Sequence, residues 1–195
     1  MRRRIHTQGD FDGACFLYAI ANAYTALTNR RPRLEDWDSG IRQIPYAVDF
    51  LQGCVGTTQR HEKNHALLTE TILTMLTELS ARDSLIQAEL QSDITDIVAI
   101  SSLVTHNSVA ILWYRGQTAF VDAGDHWVCA VAKNEEPFRL HVACSIRRSD
   151  DGHLNDRDYA EVHHSDLDRW SNDCITSKHG IEIMRGSVFK ISIRE

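Results

Sequence analysis

The sequence predicts an α+β fold in which a helical first half precedes a strand-rich second half. Up to about residue 104, apolar residues recur at spacings of three and four, which is typical of helices. After residue 107, short segments rich in valine, isoleucine and aromatic residues alternate with turn residues, which is typical of strands. Helices that are segregated from an antiparallel sheet along a chain belong to the α+β class.

Four segments carry the helical pattern. The first runs from Cys15 to about Asn29, and the turn residues Asp12 and Gly13 just before it supply a start signal. The other three, each bounded by polar or glycine-containing residues, are 34–44, 65–79 and 94–104. We therefore expect the first helix to begin at a cysteine.

Six short segments in the second half carry the strand pattern. Glycine, aspartate or an Asn-Glu-Glu-Pro turn separates them, which favours antiparallel connections between neighbours. The predicted strands are 108–114, 119–122, 126–132, 138–145, 159–162 and 186–193.

Length and composition predict one globular domain over residues 1–195. Hydrophobic residues make up 43% and charged residues 25% of the chain, and three prolines leave little room for a linker. The formal net charge of −6 argues against a nucleic-acid or anionic-membrane partner, because phosphate recognition needs clustered Lys and Arg. The sequence also lacks a run of 18 apolar residues and a convincing secretory signal, so we expect no membrane-spanning segment.

The five cysteines are odd in number and scattered, without a CxxC pair. This spacing suits free thiols in a reducing compartment better than a disulfide framework or a zinc knuckle. We therefore expect a cytoplasmic protein.

Cys15 is the candidate nucleophile. A thiol reacts as its thiolate, and a helix N-terminus lowers the thiol pKa because free N–H groups and the helix dipole favour negative charge. Attack on an acyl carbon also needs a base and a donor for the developing oxyanion. His126, which starts an apolar segment after a turn, is the candidate base, and the side-chain amide of Gln8 is the candidate donor.

The chain resembles the papain-like cysteine peptidases in two segments and one isolated glutamine. Gln8 lies six residues before CFLYA at 15–19, and GDHWV follows at 124–128. The resemblance implies a papain-like fold with the nucleophile helix packed on an antiparallel sheet from the C-terminal half. It also implies Cys15 as nucleophile, His126 as base and Gln8 as oxyanion donor. The short loops are closest to compact bacterial and phage members, such as bacteriocin-processing and effector peptidases.

The sequence departs from the family at the third catalytic position. The family places an Asn or Asp at the end of the strand that follows the histidine strand, whereas this strand ends in Val142-Ala143-Cys144-Ser145. Ser145 is the first candidate to orient the imidazole of His126, and Asp150 in the following loop is the second. A weaker orienting group would slow the reaction without abolishing it.

A zinc site is the strongest rival interpretation. His61-Glu62-Lys63-Asn64-His65 is a literal HExxH motif, in which two histidines on one helix bind zinc and the glutamate activates water. The polar residues in and before the motif indicate a surface helix rather than the buried helix of a metallopeptidase. A third ligand would have to come from elsewhere, with Glu78 and Glu89 as the nearest candidates.

The sequence therefore predicts a cysteine peptidase that hydrolyses peptide or isopeptide bonds through an acyl-enzyme, without a cofactor or a metal. The expected partners are a polypeptide substrate and an inhibitor or immunity protein, and delivery into another cell as a toxin or effector is compatible with the resemblance. Three alternatives stay open: a deamidase, transglutaminase or acyltransferase on the same fold, the zinc metallopeptidase, and an inactive polypeptide-binding module.

Overall fold

Helices and one large antiparallel sheet form the part of the chain that the computed structural model describes, which is residues 5–7, 14–51, 58–80, 86–119, 122–146 and 162–194. The helices are α1 Cys15–Thr28, α2 Leu34–Gln43, α3 Val48–Leu51, α4 Gln59–Glu62, α5 His65–Ser80 and α6 Ile97–Leu103. The strands are β1 Ile86–Leu90, β2 Ser108–Gln117, β3 Asp122–Glu135, β4 Phe138–Ala143, β5 Val162–His164, β6 Arg169–Ser171, β7 Asp173–Ile175, β8 Glu182–Ile183 and β9 Phe189–Ile193.

The main sheet has the strand order β1-β9-β2-β3-β4-β7, with β8 pairing with β2, and all of these pairs are antiparallel. Strands β5 and β6 form a separate two-stranded antiparallel sheet. The α+β prediction is confirmed, because helices from the first half pack on an antiparallel sheet built mainly from the second half.

The sheet separates two apolar layers. The first, which we call the α1 face, places α1 and α5 against alternate residues of the central strands, among them Ile111, Trp127 and Cys129. The second, which we call the far face, carries the intervening residues, among them Leu112, Tyr114 and Val128, and is covered in part by α6. Successive residues of a strand point to opposite faces, so each strand contributes to both layers.

Helix α1 is apolar around most of its circumference and lies at the centre of the molecule. Phe16, Leu17 and Ile20 are almost completely buried. The buried Asn22 accepts a hydrogen bond from the N–H of His6 at 2.7 Å and donates one to the carbonyl of His6 at 3.2 Å. This pair of bonds holds residues 5–7 against the middle of the helix.

Arg169 links the C-terminal part of α1 to the sheet through hydrogen bonds. Its guanidinium, 2% exposed, donates to five backbone carbonyls. One of these carbonyls is on α1 and one is on β3. The other three are in the turn before β2 and at the first residue of β2. They belong to Ala26, Val131, Thr105, His106 and Ser108. Burial lowers the pKa of Arg169, and the ring of carbonyl oxygens compensates the buried charge.

The predicted helices and longer strands are confirmed with shifted ends. The largest shifts are at α6, which is shorter than predicted, and at β3, which begins earlier and ends later. The predicted strand 119–122 does not form a separate element, since Ala119 is outside any strand and Asp122 begins β3. Residues 159–161 of another predicted strand lie outside the described residues. Within the described ranges, every helix is too short or too polar to cross a membrane.

Candidate functional site

Cys15 begins α1, as predicted. Ala14 is the N-cap residue, and its side chain makes no capping hydrogen bond to the first N–H groups of the helix. The predicted oxyanion donor, Gln8, lies outside the described residues. The same is true of the predicted helix start signal, Asp12 and Gly13. The thiol is 8% exposed and lies at the end of the α1 face.

The backbone N–H groups of Trp127, Phe16 and Cys15 lie near the sulfur of Cys15 and lower the pKa of its thiol. The strand pairing leaves the N–H of Trp127 without a role in the ladder between β2 and β3. Its partner on β2 is Trp113, whose carbonyl accepts a hydrogen bond from the N–H of Met184, on the side of β2 that faces β8. In an antiparallel sheet, this makes the pair a non-hydrogen-bonded one, so the polar groups of Trp127 point away from β2. The pairing of β3 with β4 stops at Cys129, so within the described residues β4 does not use the backbone N–H and C=O of Trp127 either.

Burial nevertheless dominates the acidity of the thiol. Removal from water raises the pKa of Cys15 to about 12, the N–H donors lower it, and the nearby carboxylate of Glu62 raises it. In the arrangement described here, Cys15 is therefore a neutral thiol near pH 7. A thiolate would form only if the burial or the charge of Glu62 were changed.

Glu62 is the charged residue whose electrostatic influence reaches Cys15. Its Oε1 accepts a hydrogen bond from Thr58 Oγ1 at 2.6 Å and another from the indole Nε1 of Trp127 at 3.1 Å. Trp127 thus affects the thiol through its backbone N–H and binds the carboxylate through its side chain.

Aromatic rings form one wall of the site. The ring of Phe16 lies 4.5 Å from that of Trp127, and Trp113 stacks on Trp127 at 5.8 Å with an angle of 16° between the planes. Tilted and offset pairs of this kind are favourable beyond their buried area. The cluster fixes Trp127, and with it the N–H that points at the sulfur.

His126 does not lie beside Cys15. Since Trp127 points into the α1 face, the preceding residue on the strand points into the far face. There its ring packs edge-on against Tyr114 at 6.0 Å, and its Nε2 lies 3.4 Å from the Sγ of Cys144. The structure therefore does not bring the predicted Cys15–His126 pair together, because the two side chains lie on opposite faces of the sheet.

The predicted role of Ser145 stays a prediction, since the hydrogen-bonding contact that the structure shows for the imidazole is with another residue. The side chain of the preceding residue, Cys144, reaches the Nε2 of the imidazole, and the Nδ1 of His126 has no hydrogen-bond partner among the residues that the structure describes. The position of Cys144 is fixed by Asn172, which accepts from its N–H at 2.8 Å and donates to its carbonyl at 2.9 Å. The other candidate, Asp150, lies outside the described residues.

The far face surrounds His126 with a closed, mostly apolar environment. His126 and Cys144 are 1% and 0% exposed, and burial lowers the pKa of His126 to about 4. Nearby, Thr118 donates to Asp173 at 2.5 Å, and burial raises the pKa of Tyr114. His126 is a neutral core residue in this arrangement.

The HExxH motif is divided between two helices. His61 is on α4 and His65 begins α5, with a break at Lys63 and Asn64. The Nε2 of His61 donates to the carbonyl of Pro45 at 3.0 Å, and the whole residue is buried. The two imidazoles do not share a helix face, which the zinc interpretation requires. Within the described residues, no three His, Cys, Asp or Glu side chains are grouped so that they could hold a metal ion.

Two residues of the Cys15 site were missed as partners of the thiol. Glu62 was considered only as part of a zinc motif, and Trp127 only for its aromatic ring. A sequence signal exists for neither role. The contact depends on α4 approaching the start of α1, which is a long-range feature of the fold.

Comparisons with known proteins add no family assignment. A search against protein-family models finds no match, and a search of curated proteins finds none either.

Proposed function

We propose that the chain is a papain-like cysteine peptidase, a hydrolase of amide bonds in polypeptides, with Cys15 as its nucleophile. The observation that carries this proposal is the surroundings of the sulfur. It lies at the N-terminus of α1, where the N–H groups of Cys15 and Phe16 in the first helical turn and that of Trp127 on β3 lower the pKa of the thiol. Such donors favour a thiolate and are also the groups that stabilise an oxyanion.

The proposed reaction uses the thiol to split hydrolysis into two steps. The sulfur attacks the carbonyl carbon, the C–N bond breaks, and the thiol proton leaves with the amine. Water then hydrolyses the thioester and regenerates the thiol. The N–H of Cys15 is a donor for the oxyanion, and the resemblance adds the amide of Gln8.

His126 has no part in this proposal as a base, since its ring lies on the far face and its hydrogen-bonding neighbour is Cys144. Cys144 is consequently the rival nucleophile, because it is the thiol that touches an imidazole. Its complete burial argues against that role, since a substrate carbonyl has no access to it.

Intact-mass spectrometry after exposure to the cysteine-peptidase inactivator E-64 near neutral pH tests the proposal. We expect one adduct on the wild-type protein, none on Cys15→Ala, and one on both Cys144→Ala and His126→Ala. Circular dichroism checks that each variant is folded. A folded wild-type protein that forms no adduct would contradict the proposal, and loss of the adduct in folded His126→Ala would restore His126 as the base.

A second candidate is a polypeptide-binding module without catalytic activity. Two observations favour it, namely the burial of Cys15, which raises the pKa of its thiol to about 12, and the location of His126 on the opposite face. Under this alternative, Cys15 would react with E-64 no faster than a small reference thiol, and no peptide in a substrate library would be hydrolysed.

A further inference from the structure

Glu62 offers a negative charge that nothing on the described part of the chain neutralises. We propose that Glu62 is a specificity-determining residue of the Cys15 site, which selects substrates with a positively charged side chain next to the bond that the thiol attacks. This inference rests on the proposed function, because it names the class of polypeptide that the site accepts.

The first support is the fixed position of the carboxylate. Thr58 and the indole of Trp127 both donate to Oε1, so one oxygen is held in place while Oε2 has no hydrogen bond to the described residues. The indole belongs to the residue whose N–H lowers the pKa of Cys15 and whose ring packs 4.5 Å from that of Phe16, the residue after Cys15. The free oxygen is therefore anchored within the group of side chains that surrounds the candidate nucleophile.

The second support is the missing counter-ion. Glu62 is half-buried, and a carboxylate that is partly removed from water is normally paired with a cation. The adjacent Arg60 is engaged elsewhere, since it pairs with Asp49 at 3.0 Å and lies over the ring of Tyr46 at 4.3 Å. His61 donates to the carbonyl of Pro45 instead. Among the described residues, no cation forms a salt bridge with Glu62, so a cationic ligand would supply what the site lacks.

The third support links this charge to the thiol. Glu62 raises the pKa of Cys15, so a cation bound at its carboxylate would cancel that effect and favour the thiolate. Among the described residues, further titratable groups of this region are Asp49, Arg60 and His61 near Glu62, and Tyr114 across the sheet. A substrate with a Lys or Arg side chain at this position would thus both bind and activate the nucleophile.

The test measures the charge preference of Cys15 directly. The full-length protein is treated with a cationic reagent, 2-aminoethyl methanethiosulfonate, or with an anionic one, 2-sulfonatoethyl methanethiosulfonate. Peptide mapping then gives the rate at Cys15 alone. We expect the cation-to-anion rate ratio to fall about tenfold in Glu62→Gln, because one unit charge near the sulfur is lost. Glu70→Gln, which removes an exposed carboxylate on α5, is the matched control and should leave the ratio unchanged.

An equal ratio in the wild type and in folded Glu62→Gln would overturn the inference. A second measurement compares hydrolysis of peptides that have Lys, Gln or Glu next to the cleaved bond. The wild type should prefer Lys, and Glu62→Gln should lose that preference. The two failures are distinguishable, because absence of all hydrolysis would refute the proposed function, whereas an unchanged reagent ratio would refute only the role of Glu62.

Discussion

On the α1 face of the sheet, Cys15 lies at a helix N-terminus among backbone N–H donors, with a carboxylate nearby. On the far face, Cys144 lies against the imidazole of His126 in an environment closed to solvent. Among the described residues, the first thiol has the donors that acyl chemistry needs but no histidine as a partner, whereas the second has the histidine but is closed to solvent. A cysteine and a histidine in the expected order along a chain therefore do not by themselves define a catalytic pair.

The largest effect on stability is expected from removing the buried guanidinium that links α1 to the sheet. Arg169→Met leaves five backbone carbonyls without their buried donor, so we expect a loss of about 4 kcal/mol in the free energy of unfolding. Urea unfolding followed by circular dichroism measures it. Arg194→Met, at an exposed position, is the control. A loss no larger than that of the control would mean that Arg169 does not hold the α1 face together.

A pH-dependent loss of stability is expected from His126, which is buried on the far face. The folded-state pKa of His126 is about 4 and the unfolded value is 6.5, so the unfolded chain binds more protons between these values. The stability that neutral His126 contributes is thus complete above pH 6.5 and falls as the pH approaches 4, by roughly 3 kcal/mol in all.

The variant His126→Leu should remove this part of the acid sensitivity. Urea unfolding at several pH values compares it with His106→Gln, a change at an exposed histidine. His6 and His141, whose pKa values burial also lowers to about 4, keep their own contributions in both variants. If His126→Leu lost as much stability on acidification as the wild type, His126 would not be a buried neutral residue.

The smallest effect on stability is expected from removing the hydrogen bond that Thr58 donates to Glu62. Thr58→Val keeps the shape of the side chain but removes the Oγ1 donor that bonds Oε1 at 2.6 Å, so we expect a loss of about 1 kcal/mol. Thr69→Val is the matched control, since its hydroxyl only donates to a carbonyl one turn back on the same helix. Equal losses in the two variants would remove the argument that Thr58 fixes the carboxylate.

The helix of Cys15 could be predicted because its apolar residues repeat with a helical period. The longer strands could be predicted because β-branched and aromatic residues gather there. Strand β1 was missed, since Gln87 and Glu89 alternate with its apolar residues and it forms only by pairing with β9. Strands β6, β7 and β8 have two or three residues each, and their pairing depends on distant partners rather than on local pattern.

The face on which His126 lies could not be predicted from the sequence. A shift of one residue in register moves every side chain of a strand to the other face, and apolar residues occur on both faces of β3. Only the packing of Trp127 against Phe16 decides between them. Likewise, the HExxH pattern gives no sign of the helix break at Lys63 and Asn64 that separates its two histidines.

The central claim is that the functional thiol belongs to the α1 face. The most direct test is the rate at which iodoacetamide alkylates Cys15 and Cys144 in the same native molecule, read by peptide mapping over a range of pH, with urea-unfolded protein as the reference. We predict that Cys15 is alkylated well before Cys144 in the native protein and at an equal rate in urea. Faster alkylation of native Cys144 would contradict the claim and make the Cys144–His126 pair the site.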